Sequence, residues 1–366
     1  MNSIIKLDLP ENCRIIAVSD IHTCCDLLDT MLKKVKYNPD EDYLVILGDI
    51  LEHWSNNINT LKYVYKLSRN DKVYCLLGNN DTFSARMAFS YPYKRFSEKF
   101  YISKYGIDNA FLQMAKSVGY DYCTEENWLD IRKAVLSEYG KELEFLRNLP
   151  VCLETDNYVF VHAGLENRPD WRNTDENYAI TVPWFMRKEN PTDKWLVVGH
   201  FPTYNYKRSE TTNLPIVDSK KKMIAIDGGL GIKTACQMNF FIINKDGDNY
   251  SHEVVWDAPF EKKVVKEDFS CDLKPLYVDW SNQDMVILDE KDGIVHLRDN
   301  VTGNEGYIPK REAYEFDGAI HVYQFLSSFP TVQKGQQVYF CNEDNDMALV
   351  ITKDAVVGWL PKRILK

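Results

Sequence analysis

Five short apolar runs constrain this chain most, because each is closed by a polar cluster carrying a metal-capable side chain. Arg14–Ser19 leads into Asp20-Ile21-His22, and Tyr43–Gly48 into Asp49-Ile50-Leu51-Glu52. Lys72–Gly78 leads into Asn79-Asn80-Asp81, Tyr158–Val161 into His162-Ala163-Gly164, and Trp195–Gly199 into His200-Phe201-Pro202. Runs this short, apolar and rich in β-branched residues predict strands buried on both faces. Cys25–Lys36 and Asn57–Ser68 lie between the first three runs and predict one helix each, so the chain reads as α/β. In open α/β sheets, sites form at the carboxyl ends of strands, so five such ends can gather these groups in one place.

The gathered groups suit one kind of chemistry. Two divalent ions close together clamp a phosphate and ionise a bridging water near neutral pH. Holding two cations that close needs an anionic bridge, which Asp49 can supply. Imidazoles and carboxylates favour manganese, iron or zinc over calcium. Gly48, Gly78 and Gly199 precede Asp49, Asn79 and His200 and let the backbone turn sharply there. A single His, Asp or Asn after a strand is ordinarily a structural residue, a turn or a helix cap. Here five occur in order, and they take three of the seven histidines.

Beyond the five runs, Asp81–Pro150 predicts a helical insertion, with aromatic-rich Phe83–Tyr105 and amphipathic Glu125–Leu149, ended by Pro150. Met223–Asp227, Met238–Asn244 and Glu253–Trp256 predict further strands. The texture changes after Pro259. Residues 1–260 read as the catalytic region, with an insertion over 82–150. Residues 261–272 read as a charged linker holding Lys262, Lys263 and Lys266. Residues 273–366 read as a small all-β region with turns at Asp292-Gly293, Thr302-Gly303 and Lys334-Gly335. Gly306-Tyr307-Ile308-Pro309-Lys310-Arg311 is echoed by Gly358-Trp359-Leu360-Pro361-Lys362-Arg363, which raises the prospect of two repeats. That ending resembles the last strand of a Src-homology-3-like barrel.

The order DxH, GDxxE, GNxD, HAG, GH resembles the calcineurin-like metallophosphoesterase superfamily over roughly residues 12–245. His162-Ala163-Gly164-Leu165, Gly199-His200-Phe201-Pro202, Ile226-Asp227-Gly228-Gly229 and Trp184-Phe185-Met186-Arg187 resemble its phosphoprotein-phosphatase branch. That branch holds serine/threonine phosphatases and symmetrical diadenosine tetraphosphate hydrolases. The resemblance implies a four-layer fold of two β-sheets flanked by helices. It implies that Asp20 and His22 bind a first metal, that Asp49 bridges, and that Asn79, His162 and His200 complete a second. The cofactor is then two divalent ions, with manganese the first choice. Arg187 resembles a phosphate-clamping arginine.

The departures concern the proton donor. The family's GNH histidine, backed by a carboxylate, protonates the leaving oxygen. Here Asn80 takes that slot, Glu52 the backing position, and His53 the place of an arginine. Asn cannot deliver a proton at neutral pH. Three readings fit: a deliberate replacement that traps substrate, an ester whose leaving group needs little protonation, or a proton from His53.

The expected activity is metal-dependent hydrolysis of phosphomonoesters, as in serine/threonine phosphatases, by attack of a bridging hydroxide. The alternatives are hydrolysis of a nucleotide or dinucleoside polyphosphate, or of a diester, and a catalytically weak fold used as a binding module. Phe83, Phe89, Tyr91, Tyr93 and Phe96 serve either a core or a nucleobase-stacking surface. Tyr277, Trp280, Tyr307, Tyr323 and Trp359 serve either a structural cap or a groove for a proline-rich or other protein partner. A net charge of −10 argues against unspecific nucleic-acid binding. No run is long and apolar enough for a membrane span, and the N-terminus lacks a secretory pattern. Nine scattered cysteines, Cys24 and Cys25 adjacent, read as reduced thiols, so the expected location is cytoplasmic.

Overall fold

In the computed structural model, which describes residues 3–94, 109–206, 211–273, 275–277, 284–291, 293–322, 326–344 and 346–366, all five apolar runs form strands. Phe96, Tyr105, Trp280, Asp292 and Tyr323, and the side chain of Tyr277, lie outside what is described. The chain divides into two units. The first comprises Met1–Phe201, Pro215–Ile232 and Met238–Asp257, and the second Pro202–Leu214, Lys233–Gln237 and Ala258–Lys366.

The first unit begins with β1 (Ile4–Lys6), β2 (Asn12–Val18), α1 (Cys25–Lys34), β3 (Tyr43–Ile46), α2 (Asn57–Leu67) and β4 (Val73–Cys75). The insertion follows as α3 (Asp81–Phe89), α4 (Ala110–Ser117) and α5 (Trp128–Arg147), the last kinked at Tyr139. Then come β5 (Cys152–Glu154), β6 (Tyr158–Val161), α6 (Glu176–Thr181), β7 (Trp195–Val198), β8 (Ile216–Asp218), β9 (Met223–Ala225), β10 (Met238–Asp246) and β11 (Asn249–Asp257).

These strands make two sheets. One has the order β1-β5-β6-β7-β9-β8, the other β11-β10-β2-β3-β4. Strands β2, β3 and β4 run parallel, as do β6, β7 and β9. Alternation along β2 and β3 explains the unbroken apolar runs. Ile15, Ala17, Tyr43 and Val45 share one core with Leu153, Phe160, Val197 and Ile224 of the other sheet, so the sheets pack face to face. Ile16, Val18, Leu44 and Ile46 point the other way and are equally buried, on the face where α1 packs against β10 and β11. The layers are those of a metallophosphoesterase sandwich. Strands β1, β5 and β8 escape sequence reading because each is three residues with no longer apolar run around it, whereas the equally short β4 and β9 continue into Leu76-Leu77 and Ile226.

The second unit contains β12 (Glu261–Val264), β13 (Leu276–Tyr277), β14 (Met285–Lys291), β15 (Ile294–Asp299), β16 (Glu305–Pro309), β17 (Ala313–Phe316), β18 (Ala319–Val322), β19 (Leu326–Ser327), β20 (Gln337–Asp344), β21 (Met347–Thr352) and β22 (Val357–Pro361). A four-stranded sheet, β12-β20-β21-β22, and a five-stranded one, β16-β15-β14-β18-β17, have separate cores, around Val350 and Leu360 and around Val295 and Leu297. Segment 261–272, expected as a linker, contributes β12 instead. Its lysines do not prevent pairing, because Lys262 and Lys263 lie over the rings of Tyr339 and Phe340 on the neighbouring strand.

The two echoed motifs take the same form. Each is a strand, β16 or β22, followed by one 3-10 turn, Lys310–Glu312 or Lys362–Ile364. A Cβ on Gly306 would lie 2.5 Å from the Leu276 backbone, and one on Gly358 2.6 Å from the Ser328 carbonyl. The glycine of the echo is therefore the place where another segment crosses at backbone distance.

No disulfide joins any of the nine cysteines. Among the described residues no helix is long and apolar enough to cross a membrane.

Candidate metal centre

The candidate ligands sit on loops held in an uncommon backbone state. Asp20, His22, Thr23, Asp49, Glu52, His53 and His200 all have φ between 42° and 75°, the left-handed region. Each such residue costs about 1 kcal/mol or more outside glycine, so the surroundings must impose it. Interlocked hydrogen bonds do so: Asp20 N donates to Gly48 O at 3.1 Å, His22 N to Asp49 O at 3.0 Å, and Thr23 N to Ile50 O at 3.0 Å. The Asp81 carboxylate accepts from Asp49 N at 2.9 Å, Ile50 N at 2.8 Å and Gly78 N at 3.1 Å. Gly48, at φ +92°, and Gly78 lie back to back. A Cβ on Gly48 would lie 2.5 Å from Gly78 N, and one on Gly78 would overlap Asp49.

Six side chains named from the sequence meet here. One oxygen or nitrogen from each of Asp20, His22 and Asp49 lies within 4.8 Å of the others, and the same holds for Asp49, His162 and His200. Asp49 belongs to both groups, where a bridge belongs. His22 Nε2 is 3.7 Å from Asp49 Oδ2, and His162 Nε2 is 3.5 Å from Asp49 Oδ1.

Ring orientation fits ligation. His22 Nδ1 meets the Leu51 carbonyl at 3.1 Å and His162 Nδ1 the Leu47 carbonyl at 2.8 Å. A carbonyl only accepts, so each Nδ1 carries the proton and each Nε2 offers a lone pair to the site. His200 is reversed: Nε2 meets the Thr181 carbonyl at 3.2 Å, leaving Nδ1 inward. One arm of the Asn79 amide lies 2.9 Å from His200 Nδ1 and 3.2 Å from His162 Nε2. An NH2 in that arm satisfies both rings without a cation; the amide oxygen there completes a set of acceptors that a divalent ion would join.

The electrostatics point the same way. Burial and the Asp49 charge push Asp20 well above the usual carboxylate range. Burial would raise Asp49 too, but the positive charge that His162, His22 and His200 carry when protonated outweighs it and holds Asp49 at about 2; a bound cation would take the place of that charge beside neutral imidazoles. Burial lowers His22, which keeps it in the neutral form that ligates metal. Two buried carboxylates side by side favour a cation between them. The residues present fit two divalent ions.

The proposed proton-transfer residues fall differently. The Asn80 amide donates to Asp49 Oδ2 at 2.7 Å and its backbone N–H to Asp49 Oδ1 at 2.9 Å. Glu52 is buried and turned to the insertion, where it accepts from Ala110 N at 3.2 Å and faces Ser84 Oγ at 3.4 Å. It is not hydrogen-bonded to Asn80 among these contacts. These contacts tie the 48–53 loop to the start of α4. His53 is exposed and meets the His22 ring edge to face, centroids 4.6 Å apart. Arg187 is exposed and stacks on Trp184 at 3.8 Å; Trp184 packs on Phe201, the neighbour of His200.

Two site residues were quoted in motifs without a role. Asp81 is the brace described above. Asp227 is buried beside Asp20 and accepts from Gly229 N at 2.7 Å, and its Oδ2 has no hydrogen-bond partner among the described residues. Its signal was available: it follows another apolar run, Met223–Ile226, just as the ligands follow theirs.

A model of the calcineurin-like phosphoesterase family matches residues 13–226. The chain belongs to the calcineurin-like phosphoesterase family. The matched residues contain every candidate ligand, and the family is one of phosphoric ester hydrolases. A symmetrical bis(5'-nucleosyl)-tetraphosphatase of Actinobacillus pleuropneumoniae serotype 5b (strain L20) is 26% identical over 197 residues, which is 53% of this chain and 57% of that one. A protein described in the same words from Pseudomonas syringae pv. syringae (strain B728a) is 34% identical over 67 residues, 18% of this chain and 22% of that one. The chain therefore spans less than two thirds of the length of these curated relatives. Among solved structures, a protein serine/threonine phosphatase from Saccharomyces cerevisiae matches 70% of this chain and 86% of its own at 13% identity and a TM-score of 0.41. A metallophosphoesterase from Sphaerobacter thermophilus matches 66% and 88% at 16% identity and a TM-score of 0.38.

Proposed function

We propose that this chain hydrolyses phosphoric esters or anhydrides with two divalent cations, held by Asp20, His22 and Asp49 on one side and by Asp49, Asn79, His162 and His200 on the other. The observation that carries this reading is the sharing of Asp49 between two ligand groups whose ring nitrogens are turned inward. Bound cations would lower the pKa of a water and draw charge from the phosphoryl oxygens. The chain's own residues do the rest. Asp20 and Asp49 supply the negative charge that keeps cations there, the three imidazoles supply neutral donors, and Arg187, steadied on Trp184, is poised to meet a phosphate oxygen.

Substrate follows from the proton donor. With Asn80 bonded to Asp49, its amide supports the bridge and gives no proton to a leaving group. A serine phosphate needs one, whereas a phosphate leaving from an anhydride needs little. This favours nucleoside or dinucleoside polyphosphates over the phosphomonoesters that the sequence motifs first suggest. His53, exposed at the edge of His22, is the remaining candidate donor. We assign no partner to the second unit.

The test is reconstitution. After chelation, manganese, iron and zinc are added back singly, and bound metal and p-nitrophenyl phosphate turnover are measured together. Two ions per chain with turnover restored by one metal supports the reading. A chain that binds none is a binding module.

A further inference from the structure

The first unit carries a cleft of about 230 Å³ along α3, the helix that starts two residues after the candidate ligand Asn79. Thr82, Ala85, Arg86 and Phe89 line it, spaced i, i+3, i+4, i+7 and so on one helix face. Arg147 at the end of α5 and Glu176 at the start of α6 form the opposite wall. Both flanking helices lead to the metal centre. Thr82 Oγ1 donates to the carbonyl of Asn79 at 3.3 Å, and Thr181, the last residue of α6, accepts from His200 Nε2 at 3.2 Å. From Thr82 to Phe89 the helix rises about 10 Å.

We propose that this cleft takes the nucleoside-phosphate part of the substrate that lies beyond the attacked phosphorus. The inference rests on the anhydride reading above and names the residues that select for it. The chemistry changes along the groove in the order that such a ligand requires. Next to the metal centre stands the Thr82 hydroxyl, then the Arg86 guanidinium for a second phosphate, then a flat surface. That surface is Phe89, with the Arg147 guanidinium over its ring at 4.9 Å. A ring and a stacked guanidinium together suit a nucleobase. Arg147 is also held by Glu144 at 3.7 Å, and Arg86 is 3.5 Å from the Tyr91 hydroxyl, so both arms are kept near the groove. Glu176 adds a carboxylate that can accept from a base amino group. Glu144 pairs with Arg147, whereas Arg86 has no ion pair among the described residues, so the cation at the second-phosphate position is the one left for an anion. A peptide groove would not need a cation followed by a ring platform.

Arg86→Gln and Phe89→Leu, singly and together, test this in the full metal-loaded chain. The expected result is a KM for a dinucleoside tetraphosphate raised about tenfold in the double variant. On p-nitrophenyl phosphate, too short to reach Arg86, kcat/KM should fall less than about twofold. An unchanged KM, or an equal loss on both substrates, overturns the proposal. A loss confined to a phosphoserine peptide overturns it in favour of a peptide groove. The underlying reading is separable, because the unaltered chain's metal-dependent turnover of p-nitrophenyl phosphate reports it alone. Should that turnover be absent, fluorescence titration with adenosine 5'-phosphate still decides the cleft. The double variant must bind it about tenfold more weakly, and equal binding overturns the assignment.

Discussion

Left-handed backbone occurs in both units, but on different residues. In the first it falls on Asp20, His22, Asp49, Glu52, His53 and His200 at the centre, besides Thr23, Lys36, Trp184, Lys222 and five glycines; in the second it falls on Gly293, Gly303, Gly318 and Gly335, with Asp317 and Ala355 the side-chain-bearing exceptions. A hairpin needs only the turn, so glycine serves. The metal centre needs the turn and a ligand at the same position, so glycine is excluded there and strain is accepted. The interlocked N–H groups and the Asp81 carboxylate are what hold that strain. Glycine appears at the centre where a Cβ has no room, at Gly48 and Gly78, at Gly199 against Asp20, and at Gly231 against His22 and His53.

The largest effect should come from the residue with the most duties. Asp49→Asn removes the shared charge and one of the two oxygens that accept from Asn80. Elemental analysis should show both ions lost, and turnover should fall more than about 100-fold. Two ions retained at unchanged affinity would remove Asp49 from the bridge. Asp20→Asn should mainly weaken one ion.

Gly48→Ala should come next. The added carbon meets Gly78 N at 2.5 Å, in a backbone region that favours glycine. Chemical denaturation should register a loss of roughly 3 kcal/mol or more. A loss near that of an ordinary turn glycine would erase the contrast between the units.

Asn80→His should raise turnover of a phosphoserine peptide by about ten- to a hundredfold, and that of p-nitrophenyl phosphate far less. A serine alkoxide needs the proton and a nitrophenolate does not. An equal change on both substrates would locate the donor elsewhere, His53 first.

Glu52→Gln probes the join between the loop and the insertion. Burial, reinforced by the charges of Asp81 and Asp49, raises Glu52 from 4.5 to about 8 despite its bonds to Ala110 N and Ser84. The folded state therefore holds a proton that the unfolded state releases. Glu52's contribution to stability is fully present below about pH 4.5 and is lost as pH rises through about 8. The glutamine variant should lose less stability than the parent between those limits, read by denaturation at fixed pH in chelator. Identical slopes would mean that Glu52 is ionised in the fold.

The smallest effect belongs to Gly318→Ala. Its φ is +77° but a Cβ there meets nothing within 4 Å, so thermal denaturation should show only the backbone cost, about 1 kcal/mol.

The order of strands and ligands was legible along the chain because strand ends and their side chains are local. A run such as Tyr43–Ile46 is recognisable from four residues, and Asp49 follows it wherever the strand goes. The echo of Gly306 and Gly358 was legible too, although its reason, a crossing backbone, was not. What tertiary structure decided is every relation between distant segments. That Asp49 is shared, that His200 offers Nδ1 where His22 and His162 offer Nε2, and that Asn80 turns to Asp49 while Glu52 turns to Ala110 all depend on partners 29 to 115 positions away, or on a helix carbonyl 19 residues back. Local sequence sets which groups arrive at the strand ends. Packing of the two sheets and the insertion sets the direction each group faces, because only there do the carbonyls and carboxylates that orient them come within reach.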